Sequence, residues 1–286
     1  MQLEERKLKE IEHSDRRRSI VRANEYQTDA AADNQEKKSI TDERQYEYHF
    51  SNMKFYSVSR SSFAHRDKLL FSDIKGKIAL DYCCGNGEIG VRLAKAGAKK
   101  VYGIDISEVA IANAQRLAEE QGVGHLCEFK VMDAEHTNFE DGTFDVIHEY
   151  GALHHLDLDA AFRELSRILN SDGKIVCTEA MRHNPLIHWY RKRTPHLRTQ
   201  WEVEHILGVP EIQQGGTYFG NIDTKMFHLA VLAAVPFRKT PLMRPLLTVL
   251  EYLDSFLLQI PWIKKMAWVA VVAYSKPKIP TPNKRS

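Results

Sequence analysis

The most constraining feature of this chain is a repeated change of hydrophobic period between residues 77 and 179. Residues 77–82, 100–105, 127–132, 144–150 and 174–179 are short apolar runs of strand length. Between them, residues 88–96, 107–121 and 158–169 carry apolar side chains at helical spacing. Ser107 stands where an N-cap is needed, and Gly97 and Gly122 stand where helices stop. Asp141-Gly142 and the Asn-Ser-Asp-Gly stretch at 170–173 read as turns. Alternating strands and helices bury their apolar faces in an open parallel sheet covered on both sides, which is the α/β class.

The flanks break that rhythm. Residues 1–48 mix acids and bases with few large apolar groups, whereas 46–63 are rich in aromatics and must pack on something. Residues 181–221 look like an insertion over the mouth of the sheet. Residues 222–227 and 267–275 read as two further strands, with an apolar helix over 242–258 between them. The expected organisation is an N-terminal helical extension or lid over 1–60, a core over 61–180, an acceptor-binding insertion over 181–221, and a part over 222–286 that completes the sheet.

Composition excludes some functions. A formal charge of +2 on 286 residues does not call for a nucleic-acid partner. The four cysteines lack both metal-ligand and disulfide spacing and read as reduced thiols of a cytoplasmic protein. The charged start is unlike a secretory signal, and apolar runs such as 266–274 are far shorter than the roughly 20 residues that span a bilayer.

The stretch Asp81-Tyr82-Cys83-Cys84-Gly85-Asn86-Gly87 lies at the first strand-to-helix turn, where an open parallel sheet binds its ligand. Read literally, Gly85-Asn86-Gly87-Glu88-Ile89-Gly90 is a dinucleotide fingerprint, so a nicotinamide oxidoreductase is the alternative. Asp81 argues against it. A carboxylate at the strand end repels a pyrophosphate and attracts the cationic amino-acid part of a phosphate-free adenosine cofactor. Asp105, at the end of the second strand, is placed to accept hydrogen bonds from both ribose hydroxyls.

Residues 79 to about 180 resemble class I S-adenosylmethionine-dependent methyltransferases of the small-molecule, quinone-biosynthesis type. The acid and glycine bend at Asp81–Gly87, Asp105 and Ile106 in VYGIDIS, Asp133 and Ala134 in VMDAE, the stretch FDVIHEYGALHHL, and LNSDGKIVCTEA carry the likeness in order. Cys83 stands where the family usually has glycine. The resemblance implies a Rossmann-like, seven-stranded, mostly parallel sheet and S-adenosylmethionine as cofactor. It assigns Asp81, Cys83, Gly85, Gly87, Asp105, Ile106, Asp133 and Ala134 to that cofactor, with Tyr56 from the aromatic segment.

Glu149, at the end of the fourth strand, is the first candidate for a base, and His154 is the second. By strand alternation, His148 and Tyr150 face away from Glu149. Tyr150, Trp189, Arg193, His196 and Arg198 are candidates for the acceptor, because aromatics with a cationic cluster suit a largely apolar small molecule with a carboxylate or diphosphate end, such as a prenyl diphosphate. No metal is expected, since the adjacent His154 and His155 should point in different directions. Residues 242–265 could touch a membrane surface, although the family implies a helix packed against the sheet there. A homo-oligomer and a non-catalytic cofactor-binding subunit remain open readings.

Overall fold

The computed structural model describes residues 4–22, 39–41 and 43–278. Expectations for the remaining residues, including most of the stretch between 23 and 42, lie outside the described ones. In chain order the elements are α1 (Glu5–Arg18), β1 (Ile20–Arg22), β2 (Ser39–Thr41), α2 (Glu43–Phe50), α3 (Met53–Tyr56), α4 (Arg60–Phe71), β3 (Ile78–Tyr82), α5 (Glu88–Lys95), β4 (Lys100–Asp105), α6 (Glu108–Glu120), β5 (Cys127–Val131), β6 (Phe144–Tyr150), α7 (Leu158–Ile168) and β7 (Leu169–Ala180). Then follow α8 (Pro185–Arg193), α9 (Gln200–His205), α10 (Val209–Gln214), β8 (Phe219–Phe227), α11 (Met243–Leu257), α12 (Pro261–Lys264) and β9 (Val269–Pro277).

Seven strands form one sheet in the order β5-β4-β3-β6-β7-β9-β8. The first five are parallel, and β9 runs antiparallel to both β7 and β8. Strand residues alternate between two cores. Ala79, Val101, Val146 and Val176 enter the core that holds Val91, Leu93 and Ile111, while Leu80, Ile104, Ile147 and Ile175 enter the one that holds Phe162, Leu165 and Ile168. Both faces are therefore covered, and the strands read as continuous apolar runs for that reason.

Side-chain caps set the helix starts as the sequence suggests. Ser107 Oγ accepts from Ala110 N at 3.0 Å, and Asp157 Oδ1 accepts from Ala160 N at 2.9 Å. One turn is displaced. Residues 170–173 belong to β7 instead of preceding it, with the pairing of β6 and β7 shifting register between Phe144 and Val146. The polar residues there lie at the exposed start of a strand that is buried only farther on, and so they read locally as a turn.

Candidate active site

Strand order reverses at β3, whose neighbours are β4 and β6, and a crevice opens at the carboxyl ends of these strands. A cavity of about 680 Å³ fills it. Its wall includes Asp81, Cys83, Gly85, Asp105, Ile106, Asp133 and Ala134 from the expected cofactor set, together with Tyr56, Tyr150, His154, Arg191 and Arg198.

The bend after β3 requires left-handed backbone. Gly85 has φ +56° and Gly87 φ +80°, and Cys83 adopts φ +56° without being glycine, at a strain of about 1–2 kcal/mol. This explains why glycine suits position 83 and how a small thiol can replace it. Asp105 ties the bend down. Its Oδ2 accepts from Gly85 N at 3.0 Å and its Oδ1 from Ser107 N at 3.0 Å. Asp81 is 2% exposed. Its Oδ2 accepts from Gly90 N at 2.8 Å, and its Oδ1 lies 2.8 Å from His148 Nδ1. Asp81 thus anchors α5 as well as facing the cavity.

Gly87 is a correction to the cofactor set. It does not line the cavity, and a Cβ there would lie 2.7 Å from Ala114 Cβ. The glycine is required for packing of α5 on α6.

Glu149 is a second correction. It is fully buried and lies off the cavity wall, which β6 builds with His148 and Tyr150. Its Oε1 accepts from Ala152 N at 2.5 Å and Leu153 N at 3.3 Å, so it shapes the loop after β6. Burial, followed by the nearby Glu179 charge, pushes its carboxyl well above the usual range. Strand alternation separates Glu149 from His148 and Tyr150, as the sequence indicates, but the cavity lies on their side.

His154 does line the cavity. Its Nδ1 is 2.8 Å from Glu179 Oε2, and Glu179 Oε1 accepts from Leu153 N at 2.7 Å. Burial, then the neighbouring His155, pulls His154 down to about 3, which keeps the ring neutral near pH 7. Glu179 itself is pushed up to about 7 by burial. No simple spacing rule reveals this pair, because 25 residues separate its members.

The adjacent histidines do not diverge as expected. Their rings are 4.3 Å apart at a tilt of 36°, and with Glu202 they place one ligand atom each within 4.8 Å of the others. These groups are already engaged: His154 with Glu179, His155 with Glu10 at 2.9 Å, and Glu202 with Arg198 at 3.2 Å.

Three of the five acceptor candidates lie elsewhere. Trp189 is 52% exposed and carries Arg193 over its ring at 4.1 Å. His196 is exposed and stacks on Tyr48 at 3.9 Å. These pairings hold both side chains at the surface. Tyr150 and Arg198 line the cavity, joined there by Arg17 and Arg191. Burial, then Arg198, lowers Arg191 to about 10, and burial also lowers Arg17. Neither Arg17 nor Arg191 has a carboxylate ion-pair partner among the described residues.

Helix α1, which the sequence offers only as part of an extension or lid, supplies Lys7, Glu10, Ser14, Arg17 and Arg18 to the cavity wall. Lys7 Nζ is 2.7 Å from both Asp133 Oδ2 and Glu135 Oε2, and Arg6 Nη2 is 2.6 Å from Glu135 Oε1. Arg18 Nη2 lies 3.6 Å from Asp105 Oδ2. The spacing 7, 10, 14, 17, 18 is a helical stripe of polar residues, a signal that apolar periodicity does not register.

A family model described as a methyltransferase domain matches residues 79–173. Demethylmenaquinone methyltransferase of Lactobacillus johnsonii is 31% identical over 127 residues, covering 42% of this chain and 52% of that enzyme. The 27-O-demethylrifamycin SV methyltransferase of Amycolatopsis mediterranei is 35% identical over 101 residues, covering 35% and 37%. The chain thus spans about half the length of the first curated relative and less of the second. Geranyl diphosphate C-methyltransferase from Streptomyces coelicolor, solved with Mg²⁺, geranyl diphosphate and S-adenosyl-L-homocysteine, superposes with a TM-score of 0.53 at 16% identity, covering 74% of this chain and 78% of that one. The sheet order and the acid-walled bend agree with that match: residues 79–173 are similar to a methyltransferase domain.

Proposed function

We propose that this protein transfers a methyl group from S-adenosylmethionine to oxygen or carbon of a largely apolar small molecule with an anionic end, a prenyl diphosphate being one example. The observation that carries the reading is a cavity whose lining includes both the acids Asp81, Asp105 and Asp133 and the cations Arg17, Arg191 and Arg198. A cationic, phosphate-free cofactor suits the acids, and an anion suits the cations.

The residues fit the cofactor. Three buried acids face one space, and His148 Nε2 and Thr178 Oγ1 on the same wall are buried without a hydrogen-bond partner. Asp105 would hold the ribose hydroxyls, Asp133 and Ala134 the adenine side, and the Gly85 bend would let the ligand approach the backbone. Arg18 shares Asp105 with those hydroxyls. Bound there, S-adenosylmethionine supplies an electrophilic methyl group on a sulfonium.

The chain's own contribution is placement and hydrogen bonding. Tyr56, Tyr150, Phe63 and Trp268 form an aromatic wall, with Tyr56 and Trp268 centroids 5.5 Å apart and Phe63 and Tyr150 6.0 Å apart. This wall excludes water and orients the apolar body of the acceptor. Glu179, when ionised, accepts from His154 Nδ1–H and fixes the neutral tautomer of the ring, which leaves Nε2 as an acceptor of a hydrogen bond from the substrate. The names of the relatives, which include a demethylmenaquinone and a demethylrifamycin enzyme, support an apolar acceptor.

The test has two stages. S-adenosylhomocysteine should raise the melting temperature and NADH should not; the reverse would favour the oxidoreductase. With labelled cofactor, geranyl diphosphate should then compete for methyl transfer better than geraniol, and Arg191→Ala or Arg198→Ala should raise its KM about ten-fold while sparing S-adenosylhomocysteine affinity. Equal use of the alcohol and the diphosphate would remove the anionic end.

A further inference from the structure

The C-terminal third presents an apolar surface that the cavity does not use. Helix α11 turns stripes of apolar residues in opposite directions. Leu247 is buried and Leu246 and Leu250 pack beside it against the core. Val249, Tyr252, Leu253 and Phe256, at spacings of three, four and seven, are 65%, 70%, 45% and 67% exposed. Trp262 on α12, 69% exposed, and Leu242 ahead of α11, 50% exposed, extend the patch. Single exposed apolar residues are ordinary on protein surfaces, whereas five on two consecutive helices, with Leu242 ahead of them, form a feature of the kind that marks an interaction site.

Charge selects the partner. Residues 236–266 contain five basic groups, Arg238, Lys239, Arg244, Lys264 and Lys265, and two acids, Glu251 and Asp254. Both acids are already paired within the protein. Asp254 accepts from the backbone N–H groups of Leu229 at 3.0 Å and Ala230 at 2.6 Å, and Glu251 is ion-paired with Arg60. None of the five basic groups has an ion-pair partner among the described residues. They stand before α11, in its first turn, and at the end of α12, so cations flank the apolar stripe at both ends.

We propose that α11 and α12 lie on the surface of an anionic lipid bilayer, with the apolar stripe at the boundary between headgroups and acyl chains and the five cations among lipid phosphates. Tyr252 and Trp262 have amphipathic rings suited to that depth. No helix among the described residues is long and apolar enough to cross a membrane, so the contact is superficial. The 3₁₀ segment Ala230–Phe237 packs on α11 and on α3, the helix that brings Tyr56 to the cavity wall, and so links the lipid-facing helix to the cavity.

The experiment is co-sedimentation of the full chain with vesicles of phosphatidylcholine alone or mixed with phosphatidylglycerol. It reads binding without turnover, and so stands apart from the assignment of the reaction. The expected result is partition onto the anionic vesicles that falls with added salt. Lys264→Gln with Lys265→Gln should weaken it about 25-fold, at about five-fold per cation. Phe256→Ser with Trp262→Ser should abolish it with the thermal midpoint unchanged, since both side chains are exposed. Equal partition onto both vesicle types, or none onto either, overturns the proposal. Should the chain instead be a dimer that Phe256→Ser dissociates, the face is an interface between copies and the bilayer assignment is wrong.

Discussion

Gly87 offers a quantitative test of how the cofactor bend is held. Two separate penalties meet at Gly87→Ala. The residue sits at φ +80°, where an L side chain costs about 1–2 kcal/mol. The new Cβ would also lie 2.7 Å from Ala114 Cβ and 3.1 Å from Ala114 Cα, and a backbone atom of α6 cannot rotate away. Overpacking of this kind costs about 1–3 kcal/mol, so the sum is about 2–5 kcal/mol. Gly122 is the internal control. Its φ is +72°, but nothing lies within 4 Å of a Cβ there, so Gly122→Ala carries only the backbone part. With a urea slope of about 3 kcal/mol/M, the midpoint should fall by roughly 0.7–1.7 M for Gly87→Ala and roughly 0.3–0.7 M for Gly122→Ala. Ala114→Gly in the Gly87→Ala background should recover part of the difference, because the two sites share the contact. Equal midpoints for the two single variants, or no recovery in the double variant, would refute the packing role and return Gly87 to the ligand set.

Two further outcomes follow from the acids. Asp105→Asn should weaken S-adenosylhomocysteine binding about ten-fold or more by calorimetry, because a charged acceptor of the ribose hydroxyls is lost; unchanged affinity would disprove that assignment. Glu179 is pushed up to about 7 by burial, so the folded chain holds its proton more tightly than the unfolded one. Its contribution to stability is therefore full below about pH 4.5 and lost as pH rises through about 7. Glu179→Gln should flatten the stability profile across that window and give a relative gain on the order of 2–3 kcal/mol at pH 8; parallel profiles for variant and parent would contradict it.

The part of the fold that is legible in the sequence is the part with a period. Ala79/Leu80, Val146/Ile147 and Ile175/Val176 each send neighbours into opposite cores, and strands buried on both faces appear as plain apolar runs. The acids Asp81, Asp105 and Asp133 lie at strand ends, so naming the strands also locates them. What escaped the sequence depends on distance between segments. Arg17 and Arg18 reach the cavity only because α1 crosses the strand ends, and the Lys7–Asp133 contact joins residues 126 apart. Arg193 and Arg198 look equivalent in the sequence, yet one rests on a surface indole while the other is buried beside Glu202. Glu149 shows a subtler limit: alternation tells which strand residues share a side, but not which side is hollow.

The position of β9 has a consequence for how this molecule is made. Val269–Pro277 follows β8 in the chain but lies between β7 and β8 in space, pairing with both. As the chain leaves the ribosome, β8 emerges before the strand that joins it to the sheet. Until then the outer edge of β7 is open, and cores on both faces lack Val271 and Val272. Translation must therefore pass residue 277 before the sheet can close, and a nascent chain stalled short of residue 269 would display a bare sheet edge to any neighbour.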